Sequence, residues 1–275
     1  MTGLPKVRFL RSRFSYVASS VLTDNQNMRS ISRRNLVVRA AAFVPSALGQ
    51  TPPEGARRAN QKLKIIVTGG HPGDPEYGCG GTVARYADLG HEVVLLYLNR
   101  GEKACPDSPA DPGSSIRVPE ARKACEILKA RPVFAGQCDG NAIVDSKHYT
   151  EFRKLLEAEK PDVLFTHWPI DNHPDHRAIS MLSYDAWLRM GKTFEFYYYE
   201  VSSGEDTLMF SPTHYVDISG VESRKRAACY AHASQTPDRF YPLQSQVMRF
   251  RGIESGYAQA EGFVRHVQSS DRLLP

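Results

Sequence analysis

Two short polar clusters carry the residue types that could do chemistry in this 275-residue chain. The first is Gly70-His71-Pro72-Gly73-Asp74-Pro75-Glu76, and the second is His173-Pro174-Asp175-His176. Each sets two metal-competent side chains at i and i+3, His71 with Asp74 and His173 with His176. In a helix or turn that spacing points both groups the same way. Two imidazoles and a carboxylate with one open position describe a catalytic zinc site, in which water takes the fourth place. Taken singly, each cluster has a plainer reading. The first is a turn closed by an Asx-type cap, and Pro174 opens a helix where its missing N–H costs nothing. The case for a site rests on having both, each shortly after a strand.

The elements that must position these residues follow from hydrophobic patterning. From Lys62 onward short apolar runs alternate with helical patterns, the signature of an α/β sheet with crossover helices. Strands are predicted at residues 63–68, 92–98, 132–135, 162–166, 194–201 and 214–218. Helices are predicted at 79–89, 117–129, 149–159, 174–190, 221–233 and 256–267. The expected architecture is a single doubly wound, mostly parallel sheet, and such sheets bind ligands outside the carboxyl ends of their strands. Both clusters lie there. Gly78, Gly80 and Gly81 suit close approach of a helix to a strand, or a polar ligand at the helix N-terminus. Their spacing lacks the GxGxxG pattern, which argues against a nucleotide-binding oxidoreductase.

The remaining histidines are less informative. His91, His148, His214, His232 and His266 have no spaced partner and read as ordinary surface or satisfied buried residues, whereas His167 sits between a strand and the second cluster. The aromatic run at 194–199 reads as sheet core in preference to a sugar-stacking surface.

Charge separates the chain into two parts. Residues 1–60 hold ten of the 35 Lys and Arg and two of the 30 Asp and Glu, so the remainder carries about three more acids than bases. A body of that sign offers no basic footprint for nucleic acid. The basic segment is rich in Arg, Ser and Ala and ends in a Pro/Gly/Ala linker, so it is read as a targeting segment ahead of a domain at 61–275. Within it, Ser32-Arg33-Arg34-Asn35-Leu36-Val37-Val38, followed by Arg39 and an apolar run to Leu48, resembles a twin-arginine export signal. A start at Met28 would set the arginines at a suitable distance from the N-terminus. An organellar transit peptide or a basic tail shares this composition. The expected location is exported or periplasmic if the signal operates, and cytoplasmic otherwise. No run of about 18 apolar residues occurs, so no stable membrane span is expected. Five scattered cysteines without a CxxC pair imply neither a zinc knuckle nor a disulfide framework.

Residues 64–82 and 161–179 resemble the two signature blocks of the LmbE-like, PIG-L-type N-deacetylases, and Val216-Asp217-Ile218 with residues 225–235 is similar to that family's closing region. The resemblance spans roughly residues 62–268. It implies a Rossmann-like fold, Zn2+, and hydrolysis of an N-acetyl group on a small amino-sugar-like substrate, with homo-oligomers compatible. By motif position it implies His71, Asp74 and His176 as metal ligands. It further implies His173 as the group that stabilises the oxyanion or protonates the leaving amine, and Asp175 as the carboxylate that orients it. Arg100 and Asp139 lie near positions associated with the substrate pocket.

One departure bears on mechanism. The family block usually reads HPDD, and its first aspartate serves as general base; here that position is Gly73. A zinc-activated water needs less help from a base, and a missing base costs roughly 10²- to 10⁴-fold in rate. Glu76 and Glu102 are the replacement bases within reach by sequence. A helix-entry charge is the plainer reading of Glu76, and a solvated loop residue or a salt bridge to Arg100 that of Glu102. A metal-containing binding protein with lost chemistry is the alternative function.

Overall fold

The computed structural model describes residues 62–101, 114–269 and 274–275. The expectations for residues 1–60 and for Glu102 lie outside the described residues.

The run Lys64–Gly69 (β1) is buried beyond its first residue, as befits a strand covered on both faces. It pairs in parallel with Glu92–Asn99 (β2) on one side and Val163–His167 (β4) on the other. Arg131–Gln137 (β3) flanks β2, and Glu195–Tyr199 (β5) flanks β4, both in parallel. His214–Asp217 (β6) and Ala260–Arg265 (β7) complete a seven-stranded sheet of order β3-β2-β1-β4-β5-β7-β6, in which β7 runs antiparallel to both neighbours. The order reverses at β1 and β4, and a crevice opens beyond their carboxyl ends at such a switch point.

Alternating strand residues feed two cores. Ile65, Val67, Leu95, Tyr97 and Phe165 face one side, where they pack on Asp74–Asp88 (α1), Ser114–Leu128 (α2), Glu222–Ala231 (α5) and Pro237–Ser255 (α6). Ile66, Val94, Leu96 and Leu164 face the other, against Ser146–Glu159 (α3) and Pro174–Arg189 (α4). The aromatic residues of β5 serve the sheet core, with Phe196, Tyr197 and Tyr199 all buried.

The glycines of α1 do what close packing requires. A Cβ at Gly78 would enter the ring of Tyr199, and one at Gly81 would enter Ile218. The contact also aligns Tyr199, whose hydroxyl donates to the Thr68 carbonyl at 2.7 Å. Cys79, Cys125 and Cys229 are buried free thiols, while Cys138 is disulfide-bonded.

Two expectations are corrected at the C-terminal end. Residues 256–267 do not form a helix: β7 occupies that stretch, and its first four residues are all buried, so it lacks the two-residue alternation that marks a one-sided strand. Conversely, α6 occupies a stretch for which no element was predicted, and it contains two prolines. Pro237 occupies the first helical turn, where it has no hydrogen bond to forfeit, and Pro242 is accommodated inside the helix. At the other end, α1 begins at Asp74, five residues before the predicted start, so the first cluster is itself the turn and first turn of that helix.

Candidate metal centre and active site

The two clusters meet at the carboxyl ends of β1 and β4. Gly73 is the N-cap of α1, and Glu76, three residues on, reaches back to accept its N–H at 3.1 Å. His173 is the N-cap of α4; its Nδ1 accepts the Asp175 N–H at 3.2 Å, and Pro174 follows in the first turn. Asp74 and Asp175 thus sit in first helical turns, where a carboxylate is favoured by the helix dipole.

Asp74 Oδ2 is the point of convergence. It accepts the His71 N–H at 2.7 Å and lies 3.2 Å from His71 Nδ1, 3.3 Å from His176 Nε2 and 3.3 Å from His167 Nε2. Burial pushes Asp74 up, but His176, His167 and His71 outweigh it and hold the carboxyl well below the usual range. Burial alone would lower His176, yet Asp74 and Asp171 raise it to about 9. His71 is likewise raised well above its ordinary value, burial being overcome by Asp139, Asp175 and Asp74. A divalent cation would satisfy the same convergent N and O donors, so the residues present fit a metal. Among the described residues, three overlapping donor groups each bring their ligand atoms within 4.8 Å of one another: His71 with His173 and His176, Asp74 with His167 and His176, and His71 with Asp139 and Asp175.

Other groups fix the rings. Asp171 Oδ1 accepts from His176 Nδ1 at 3.0 Å, leaving Nε2 to face Asp74. His167 is fully buried, stacks on His176 at a centroid distance of 4.1 Å and is lowered to about 4 by burial and by His176. The Asp175 carboxylate is engaged by His71 Nε2 at 3.0 Å, Asn99 Nδ2 at 3.0 Å and the Gly140 N–H at 2.8 Å, so it orients His71 and meets His173 through the backbone. His173 is half-buried, with burial and the neighbouring His71 and His176 lowering it.

A cleft of about 370 Å³ opens over these residues, within the range of roughly 300–1,000 Å³ usual for small-molecule sites. His71, Asp74, His173, His176 and Asp139 line it. Asp139 lies 3.1 Å from His71 Nε2. Arg100 is exposed at the end of β2 and is not part of the lining; the guanidinium in the wall is that of Arg117, which donates to the Pro72 and Gly101 carbonyls. Glu76 is fully enclosed, accepting from Tyr97 Oη and from Gly73 and lying 3.0 Å from His232 Nε2. The sequence reads His232 as an ordinary histidine and does not single out Asp171, Arg117, Asp206, Tyr77 or Phe240. Of these, Asp171 alone carried a local signal, standing in the strand-end loop two residues before His173.

Comparison with known proteins agrees with this geometry. Residues 66–187 match the family model described as PIG-L: GlcNAc-PI de-N-acetylase. Diacetylchitobiose deacetylase of Thermococcus kodakarensis is 27% identical over 223 residues, covering 74% of this chain and 83% of that protein. The conserved protein TT1542 of Thermus thermophilus superposes with a TM-score of 0.65 at 27% identity, over 76% of this chain and 97% of that one. GalB, the 4-carboxy-2-hydroxymuconate hydratase of Pseudomonas putida, gives a TM-score of 0.67 at 20% identity, over 77% of this chain and 99% of that one. That last likeness concerns the fold alone, since one fold hosts several reactions. The matched segment includes both polar clusters, whose side chains gather in one cleft, and over residues 66–187 the chain is similar to the PIG-L, LmbE-like deacetylases, hydrolases of N-acetyl amides.

Proposed function

We propose that this protein hydrolyses the N-acetyl amide of a small amino-sugar-like substrate, releasing acetate and a free amine with Zn2+ as cofactor. The observation that carries this reading is the convergence of His71, Asp74 and His176 on one point at the floor of the cleft, with His173 beside it. Those three residues would hold the metal, which when bound supplies Lewis acidity towards the acyl oxygen and lowers the pKa of water. The chain's own groups supply the rest. His173 stands 4.5 Å from His71 and 4.8 Å from His176 by ring centroids, where it can donate to the oxygen that gains charge. Asp175 fixes His71, and Asp171 fixes His176. Arg117 and Asp139 present polar groups for substrate hydroxyls, and Tyr77 and Phe240 add apolar wall of the kind that covers a sugar face.

The named activity of the Thermococcus relative makes N,N'-diacetylchitobiose the first substrate to test, with N-acetylglucosamine and its glycosides beside it. Zinc-dependent acetate release that is lost in His176→Ala supports the proposal. The glycine at position 73 favours a second reading, a metal-containing protein that binds such ligands without turning them over. Saturable sugar binding with no acetate released by the zinc-loaded protein would select that reading.

A further inference from the structure

β2 ends on Asn99, a fully buried amide between the metal cluster and the wall of the cleft. Its backbone N–H donates to the Gly70 carbonyl at 3.3 Å, one residue ahead of His71. Its side chain has two arms. Oδ1 accepts the Gly101 N–H at 2.7 Å, and Nδ2 donates to Asp175 Oδ2 at 3.0 Å. The reverse orientation would set an amide oxygen against a carboxylate and an NH2 group against an N–H, so the neighbours leave the amide one setting. Asp175 Oδ2 also accepts the Gly140 N–H at 2.8 Å and lies 3.0 Å from His71 Nε2. Asp139 Oδ1 lies 3.1 Å from the same nitrogen. Nε2 is thereby committed to carboxylates, which leaves Nδ1, 3.2 Å from Asp74 Oδ2, as the nitrogen that His71 offers to a cation.

The other arm leads to the wall. The Gly101 carbonyl accepts Arg117 Nη1 at 3.2 Å, and Arg117 Nη2 donates to the carbonyl of Pro72, next to His71, at 2.9 Å. Gly101 has a φ of 72°, and a Cβ there would enter the guanidinium. These bonds close a circuit that runs from Asn99 through Gly101, Arg117 and Pro72 to His71 and returns through Asp175. We infer that Asn99 is a positioning residue for the reaction: its Nδ2 aims His71 through Asp175, and its Oδ1 holds the turn that Arg117 grips. One amide so sets a metal ligand and the cleft wall in register. The inference rests on the deacetylase reading above. Asn99 is enclosed and is not part of the cleft lining, so it acts through these neighbours and not on the substrate.

Asn99→Asp separates the two arms. It keeps the shape and the acceptor for Gly101, but as a carboxylate it has no proton for Asp175 and meets it charge to charge. Zinc affinity, read by chelator competition in the full-length protein, should fall about 10- to 100-fold, the scale on which outer partners act on a bound metal. In an Asp175→Ala background the same substitution should cost nothing further, because the path to His71 is already cut. At saturating zinc, KM should be unchanged in Asn99→Asp, whose Gly101 bond persists, and raised in Asn99→Ala, which loses both arms. A lowered Tm with wild-type zinc affinity in both variants would make Asn99 a packing residue and overturn the inference. Equal losses of affinity with and without Asp175 would overturn it as well. Zinc that binds with no acetate released from any substrate counts against the deacetylase reading, and the affinities then decide the role of Asn99 by themselves.

Discussion

Asp171 Oδ1 and Asp74 Oδ2 bracket the imidazole of His176, the first 3.0 Å from Nδ1 and the second 3.3 Å from Nε2. Asp171 is itself fixed by the His173 N–H at 2.8 Å and the Thr207 hydroxyl at 2.9 Å. The arrangement sets the tautomer and the aim of the ring before any cation arrives, and outer partners of this kind typically govern metal affinity by about 10- to 100-fold. Asp171→Asn is therefore expected to weaken zinc binding by about that factor with the fold retained. Competition against a chromophoric chelator measures it, and unchanged affinity would mean that packing alone orients His176.

The pH response of the metal-free protein follows from the same cluster. His176 is raised from 6.5 to about 9, and His71 is raised in the same direction. Groups raised on folding contribute stability that is fully present below their unfolded value and is lost as pH climbs through the folded one. Thermal stability of the metal-free protein should accordingly fall between pH 6.5 and 9. Zinc affinity should rise over that window, because the cation displaces the protons on the two rings. Calorimetry in buffers of different ionisation enthalpy would register the released protons, and affinity that falls with rising pH would contradict the assignment.

Contact between α1 and β5 is set by a missing methyl group. Gly78→Ala would drive a Cβ into the Tyr199 ring and loosen its bond to Thr68, at the end of the strand that leads into His71. Overpacking of this kind costs about 1–3 kcal/mol. A lowered Tm is expected, and unaltered stability would show that α1 can shift freely.

Lys225 and Glu261 form a fully enclosed ion pair beneath α1, where Glu261 also accepts the N–H groups of Gly81 and Thr82 and the Thr82 hydroxyl. Removing one partner of such a pair strands the other, at about 3–5 kcal/mol. Lys225→Ala should lose stability on that scale in urea unfolding; a loss well under 1 kcal/mol would indicate that water replaces the ammonium.

The legible part of this protein was local. The pairs His71/Asp74 and His173/His176 could be read because strand-end motifs set polar side chains at i and i+3, and β1 to β5 because each is an apolar run bounded by turns. What escaped was the pairing of distant residues. The family resemblance implied that Asp175 orients His173, whereas in the fold its carboxylate engages His71, 104 positions away. Glu76 reads in sequence as a helix-entry charge or a replacement base, but its partner His232 lies 156 residues on, and no spacing links the two. Arg117 reaches the wall from α2, whereas Arg100, nearer in sequence to the strand end, points to solvent. Tertiary burial also decided the identity of β7 against its own periodicity.

The central claim is that one metal ion, held by His71, Asp74 and His176, is required for amide hydrolysis. Stepwise addition of zinc to chelator-stripped full-length protein, with acetate release followed at each step, tests it most directly. Activity that grows linearly to one equivalent and then levels, with neither binding nor release in His176→Ala, is the expected result. Full acetate release by the stripped protein would contradict the account.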